Sequence, residues 1–117
     1  MHCKASGEFR FEDACFMIRD VLAESAQRHA TKVLVDCLEM GGIPSALERY
    51  ALADFLAHGV VDHMSEWKTA PRFAFLGKPP LVDPNRFGEL VATNRGVQMK
   101  TVEEMEDAVR WLGERGA

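Results

Sequence analysis

Two hydrophobic periods take turns along the chain. Lys32–Leu38 (Lys-Val-Leu-Val-Asp-Cys-Leu) and Arg72–Leu76 (Arg-Phe-Ala-Phe-Leu) are short apolar runs without alternation, the pattern of strands covered on both faces. Around them the spacing changes to three and four. Phe11–Ala30 places Ala14, Cys15, Ile18, Val21, Leu22 and Ala26 on one side and Arg19, Asp20, Glu24 and Arg28 on the other, which predicts an amphipathic helix. Glu12 and Asp13 fall in its first turn and Arg28 in its last, as the helix dipole favours.

Punctuation residues divide the rest. His2–Ser6 has room for an edge strand that Gly7 ends. Glu39–Ile43 reads as a loop around the glycine turn Gly41-Gly42. Ser45, three residues before Glu48, makes a capping box worth about 1 kcal/mol and opens a helix whose apolar stripe is Leu47, Tyr50, Ala51, Phe55 and Leu56. Gly59 weakens that helix, Val60, Val61 and Met64 continue it, and Ala70-Pro71 stops it. After the strand 72–76 and Gly77, Lys78–Val82 is extended, and Asp83-Pro84 reads as a cap followed by the first helical residue. This helix runs through Phe87, Leu90 and Val91 to Asn94-Arg95-Gly96, with Gly96 in the left-handed position after it. Val97–Lys100 is a last short strand. Thr101–Glu104 is a second capping box, before a helix that buries Met105, Ala108, Val109 and Leu112 and frays after Gly113.

The order is therefore βαβαβαβα. It predicts one small α/β domain over residues 1–117, with a mainly parallel four-stranded sheet, right-handed crossovers and helices packed on it.

Composition narrows the function classes. Of the 117 residues 47% are hydrophobic, enough for a real core. A net charge of -4, from 14 basic and 18 acidic side chains with the basic ones scattered, argues against nucleic acid as a partner. No run is apolar enough to cross a bilayer, and Met1–Lys4 does not open a signal peptide, so a soluble, cytosolic protein is expected. The three cysteines, Cys3, Cys15 and Cys37, form no Cys-x-x-Cys pair, and Cys15 and Cys37 read as reduced thiols at apolar positions.

The chain resembles the SpoIIAA-like branch of the STAS superfamily, the domains named after sulfate transporters and anti-sigma factor antagonists. The residues that carry the resemblance are Val33-Leu34-Val35-Asp36, Leu47–Tyr50, Arg72–Leu76, Val91–Gly96 and the closing Glu104–Ala108 with Trp111-Leu112. It spans about residues 30 to 113. It implies a small domain without cofactor, acting through a protein partner. In anti-sigma factor antagonists a serine just after the central strand is phosphorylated. Here the Asp-Ser-Ser-Gly type of motif is missing; Ser45 holds the comparable place, and its capping role accounts for it too. Such domains open with a two-strand hairpin, whereas the segment before the first helix has sequence for one strand, which implies an exposed sheet edge.

Several constellations invite chemistry. His58 and His63, with Asp62 between, are five apart rather than four, which points to a solvated polar face and no metal. A Cys37–His58–Asp62 arrangement would make Cys37 a nucleophile. The candidate ligand- or anion-binding loop comprises Gly41, Gly42, Ser45, Lys78 and Arg95, at the carboxyl ends of the strands where open α/β sheets bind ligands. A plain tight turn is the simpler account of the glycines, and holding helix carbonyls or a carboxylate such as Asp36 is the simpler account of Arg95. Val61, Met64 and Trp67 form a candidate interface, unless Trp67 anchors the Ser65–Lys68 loop inward. Trp111 covers the sheet edge.

The expected function is a non-catalytic regulatory or scaffolding module acting on a protein partner or a second copy of the chain. The alternatives are a small-ligand or lipid-binding domain, with its pocket between helix 45–64 and the carboxyl ends of the strands, and an enzyme built on Cys37.

Overall fold

A computed structural model describes residues 1–67 and 69–113. Its elements are β1 (His2–Glu8), α1 (Phe11–Gln27), β2 (Lys32–Gly41), α2 (Ala46–Asp62), β3 (Arg72–Leu76), α3 (Phe87–Asn94), β4 (Met99–Val102) and α4 (Met105–Gly113). The four strands form one all-parallel sheet in the order β1-β2-β3-β4. Lys68, in the expected loop, and the segment after Gly113, expected to fray, lie outside the described residues.

Because each crossover joins adjacent strands, α1, α2 and α3 share one face of the sheet and α4 takes the other. The alternation of β2 divides its residues between two cores. Val33 (0% exposed) and Val35 (1%) pack with Ile18, Leu22, Leu56, Phe73 and Val91, whereas Leu34 (7%) packs with Ala74, Leu76, Val102, Ala108 and Leu112. The central strand is thus covered on both sides, as its unalternating apolar run predicts. β1 is an edge strand, and its outward His2, Lys4 and Ser6 leave that part of the sheet polar.

The β1–β2 pairing slips once. Lys4 pairs with Asp36 but Ser6 with Glu39, so β2 carries one extra residue there. A bulge reverses the facing of the strand residues beyond it. Its consequence is that Cys37 and Met40, three residues apart, line the same cavity.

Several boundaries differ from the sequence reading. β2 runs on to Gly41, so the first of the two glycines is strand rather than turn. The helix expected from Asp83-Pro84 starts at Phe87: the Asp83 carboxylate first accepts from the backbone N–H of Asn85 (3.3 Å) and Phe87 (2.9 Å), holding a separate turn. Gly96 does sit in the left-handed region, at φ +90°. The last strand is shifted to Met99–Val102, which puts Thr101 inside it, and the second capping box does not form; the Thr101 N–H instead donates to Glu89 Oε1 at 2.6 Å. Gly59 leaves α2 unbroken, because the chain uses its missing side chain to seat Leu22 of α1.

The buried face of α2 also differs. Ala53, Leu56, Ala57 and Val60 face inward, while Leu47 (77% exposed), Tyr50 and Phe55 do not. The helix is apolar nearly all round, so period alone cannot choose its inner side. The small Ala53 and Ala57 let it lie close to its neighbours. In α4, likewise, Ala108 and Leu112 are buried and Met105 and Val109 are exposed.

Candidate functional site

The ends of β2 and β3 and the segments after them surround a cavity of about 190 Å³. Its floor is Cys37 and Met40 of β2, Phe75 of β3 and Met99 of β4. Its wall is Met17 and Ile18 of α1 with Leu52 and Leu56 of α2. Phe9, Pro44, Leu81 and Val82 complete it from the loops, and Arg49, Asp83, Arg86 and Glu89 supply its charged groups. Three methionines, flexible and polarisable, make such a lining adaptable. The position, between α2 and the carboxyl ends of the strands, is the one expected for a ligand pocket.

Arg49 is the main polar fixture. It stands in the first turn of α2, where a cation opposes the helix dipole. Its guanidinium compensates by donating from Nε to Pro44 O (3.2 Å), from Nη1 to Leu81 O (3.1 Å) and from Nη2 to Pro80 O (2.8 Å). One rigid fork thus ties the start of α2 to the loop after β3 and closes one side of the cavity. The acidic groups are also engaged: Asp83 caps its turn, and Glu89 accepts from the edge of β4. Cys37 is a neutral thiol here, raised to about 11 by burial and secondarily by the Asp36 carboxylate.

The five-residue loop set does not assemble into one site, and none of its members lines the cavity. A Cβ at Gly41 would meet Glu8 Oε1 at 2.7 Å and one at Gly42 would meet Phe9 Cβ at 2.9 Å, so both glycines serve close chain approach. Ser45 forms its capping box with Glu48, at 2.8 and 3.1 Å, and the Glu48 carboxylate fills the place an anion would take at that helix end. Lys78 lies 3.9 Å from Glu104. Arg95 donates to the Val91 carbonyl at 3.4 Å, as a helix-end arginine can, but the carboxylate it holds is Asp54 (3.2 Å), not Asp36; Tyr50 Oη accepts a further bond at 3.0 Å. Asp36 accepts instead from Leu38 N–H (3.0 Å), with His2 Nε2 3.9 Å away.

The interface set also separates. Val61 and Met64 are exposed, but Trp67 is 4% exposed and belongs to the main core, so the inward-anchor alternative describes it. The nucleophile arrangement is not formed: His58 pairs with Asp54 (3.5 Å) and His63 with Glu66 (2.9 Å). Among the described residues no group of three His, Cys, Asp or Glu side chains is placed to hold a metal ion. Trp111, expected over the sheet edge, packs on the start of the inner strand β3, its Nε1 donating to Phe73 O at 3.2 Å with the Arg72 guanidinium 4.5 Å from the ring centroid, while Lys100 of the edge strand β4 lies 5.9 Å from the ring.

The residues that sequence reasoning missed are Arg49, Arg86 and the methionines. A cation in the first turn of a helix was the available signal for Arg49. Nothing local distinguishes Arg86 or the methionines. No protein-family model matches the chain, and no curated protein matches it. No described helix is long and apolar enough to cross a membrane.

Proposed function

We propose that this domain is a non-catalytic binding module that takes a small apolar ligand, or the tail of a lipid, between α2 and the carboxyl ends of the strands. The observation that carries this reading is the cavity itself. A well-packed domain of this size holds few voids larger than a water molecule. A dry apolar cavity of about 150 Å³ takes benzene, and this one, at about 190 Å³, has room for a ring or for a chain of roughly six to eight carbons. Its charged groups are few, Arg49, Asp83, Arg86 and Glu89 in a mainly apolar lining, as in ligand sites generally. The neutral Cys37 thiol favours binding over nucleophilic chemistry.

The test is native mass spectrometry of the purified chain, with a solvent extract examined for small apolar molecules. A bound mass, or tight uptake of an apolar probe that Met40→Trp abolishes, supports the reading. A chain that carries no ligand and takes up no probe overturns it.

A second reading, a regulatory or scaffolding domain that docks on a protein, is favoured by one observation. Ile43 (74% exposed), Leu47, Tyr50, Phe87 and Leu90 are large apolar side chains left in solvent around α2 and α3, which pack together. Exposed apolar area of this kind marks contact surfaces. It also fits the resemblance to partner-binding STAS domains. Leu47→Asp with Leu90→Asp should abolish any self-complex or partner complex seen by native mass spectrometry and leave probe uptake intact.

A further inference from the structure

A second cavity, of about 370 Å³, lies on the other side of the 79–86 segment. It is polar where the first is apolar. The two share a wall of Val82, Asp83, Arg86 and Thr101. Arg86 is therefore the cation common to both. Among the described residues no hydrogen bond or ion pair engages its guanidinium. Its neighbours are committed: Asp83 to the N–H groups of Asn85 and Phe87, Asp107 to Arg110 at 3.1 Å. Lys100, also in the polar cavity, has no carboxylate partner among the described residues and lies 5.9 Å from the Trp111 ring centroid. Glu103 is the carboxylate there without a described partner.

The backbone adds an independent observation. Arg86 sits in the left-handed region, at φ 56° and ψ 41°, where glycine or asparagine fits with less strain. A strained backbone at a cavity wall motivates a functional reading of the side chain it positions. Arg86 is solvent-exposed and lines both spaces, so a long, fork-shaped cationic donor stands where the apolar and the polar space meet, and that chemistry matches an oxyanion carried on an apolar chain.

We infer that the ligand is an anionic amphiphile, with a chain of roughly six to eight carbons in the apolar cavity and a carboxylate or phosphate monoester head at Arg86, with Lys100 as the second cation. This rests on the binding reading above and names the ligand class for the same site.

Calorimetric titration of the full chain with octanoate, octyl phosphate and 1-octanol tests it. These probes share a tail and differ in the head. The expected result is that at least one anion binds about tenfold or more tightly than the alcohol, that Arg86→Gln removes the difference, and that Arg86→Lys restores part of it. Added salt should narrow the same gap, because the head group is near solvent. The tighter of the two anions identifies the head. If all three bind wild type equally, or if Arg86→Gln leaves the preference unchanged, the inference is overturned and the apolar pocket stands. If none binds, or if Met40→Trp binds as well as wild type while keeping its circular dichroism, the pocket reading fails and the inference with it.

Discussion

Leu22 of α1 occupies the space that a side chain at Gly59 of α2 would need: a Cβ built there overlaps Leu22 Cδ1. Alanine is the better helix former by about 1 kcal/mol, so propensity alone would make Gly59→Ala stabilising. Leu22 is 2% exposed, so its side chain would have to shift within the core, and forcing a methyl into a packed core costs about 1–3 kcal/mol. Overpacking should win. Urea denaturation is expected to show a net loss for Gly59→Ala, and Leu22→Val should cost less in that background than in wild type. Additive losses would mean that the helices do not meet at this point.

Arg49 makes a comparable claim on the loop after β3. Lysine at this position keeps the charge and loses the fork that reaches the carbonyls of Pro44, Pro80 and Leu81. Hydrogen bonds from a charged donor each contribute about 1.5–3 kcal/mol, and part of that returns through water at the rim. Arg49→Lys is expected to cost about 1–3 kcal/mol. It should also speed proteolytic cleavage between residues 77 and 83 more than cleavage elsewhere. Unchanged cleavage there would show that the loop holds itself in place.

Ser45 separates capping from regulation. Its hydroxyl accepts from Glu48 N–H at 3.1 Å, so Ser45→Ala should destabilise by about 1 kcal/mol. Aspartate caps as well as serine does, and Ser45→Asp should hold wild-type stability within a few tenths of a kcal/mol. If Ser45→Asp instead unfolds the chain in thermal melts, the added charge acts against Glu48, and modification at this site would be a structural switch.

How much of this was legible beforehand depended on whether a local rule had one solution. Arg72–Leu76 has one, and the strand has those bounds. So does Ser45 with Glu48. The central run Lys32–Leu38 announced a strand roofed on both sides, and Val33, Leu34 and Val35 are buried in two opposite cores. The inner face of α2 had several solutions, because apolar residues circle the helix; tertiary fit selected Ala53 and Ala57 over Leu47 and Tyr50. Thr101–Glu104 satisfied the capping pattern, yet pairing with β3 drew Thr101 into the sheet. The place of the cavity came from the rule that ligands gather at the carboxyl ends of strands. Its composition did not, because it draws residues from several separate segments, and the bulge that turns Met40 inward leaves no mark in the sequence.

The two tryptophans should respond differently to loss of the indole N–H. Trp67 Nε1 is buried without a hydrogen-bond partner among the described residues, whereas Trp111 Nε1 donates to Phe73 O. An orphaned donor costs about 1–3 kcal/mol, so removing it returns most of what the lost ring area takes away. Trp67→Phe is expected within about 0.5 kcal/mol of wild type. Trp111→Phe should lose about 1–2 kcal/mol through its hydrogen bond and through weaker stacking with Arg72. Equal losses in chemical denaturation would place a partner on Trp67.

Cys37 provides a pH-dependent reading of the cavity floor. Burial raises its thiol from the ordinary 9.0 to about 11. At pH 8 its thiolate fraction is then about a thousandth, roughly a hundredfold below that of an ordinary thiol, and the thiolate is the species that reacts. Cys3 and Cys15, raised less, should be alkylated by iodoacetamide before Cys37 in the native chain. The same shift enters stability. Between pH 9 and 11 the unfolded thiol has lost its proton and the folded one retains it, so the native state binds more protons and stability falls as pH rises. Two pH units correspond to about 2–3 kcal/mol as an upper bound. Wild type should therefore lose up to that much more than Cys37→Ala across this window, and the two should run parallel below pH 8. Preferential labelling of Cys37 at pH 8, or parallel curves up to pH 11, would mean that the thiol faces water and that the floor of the cavity is open.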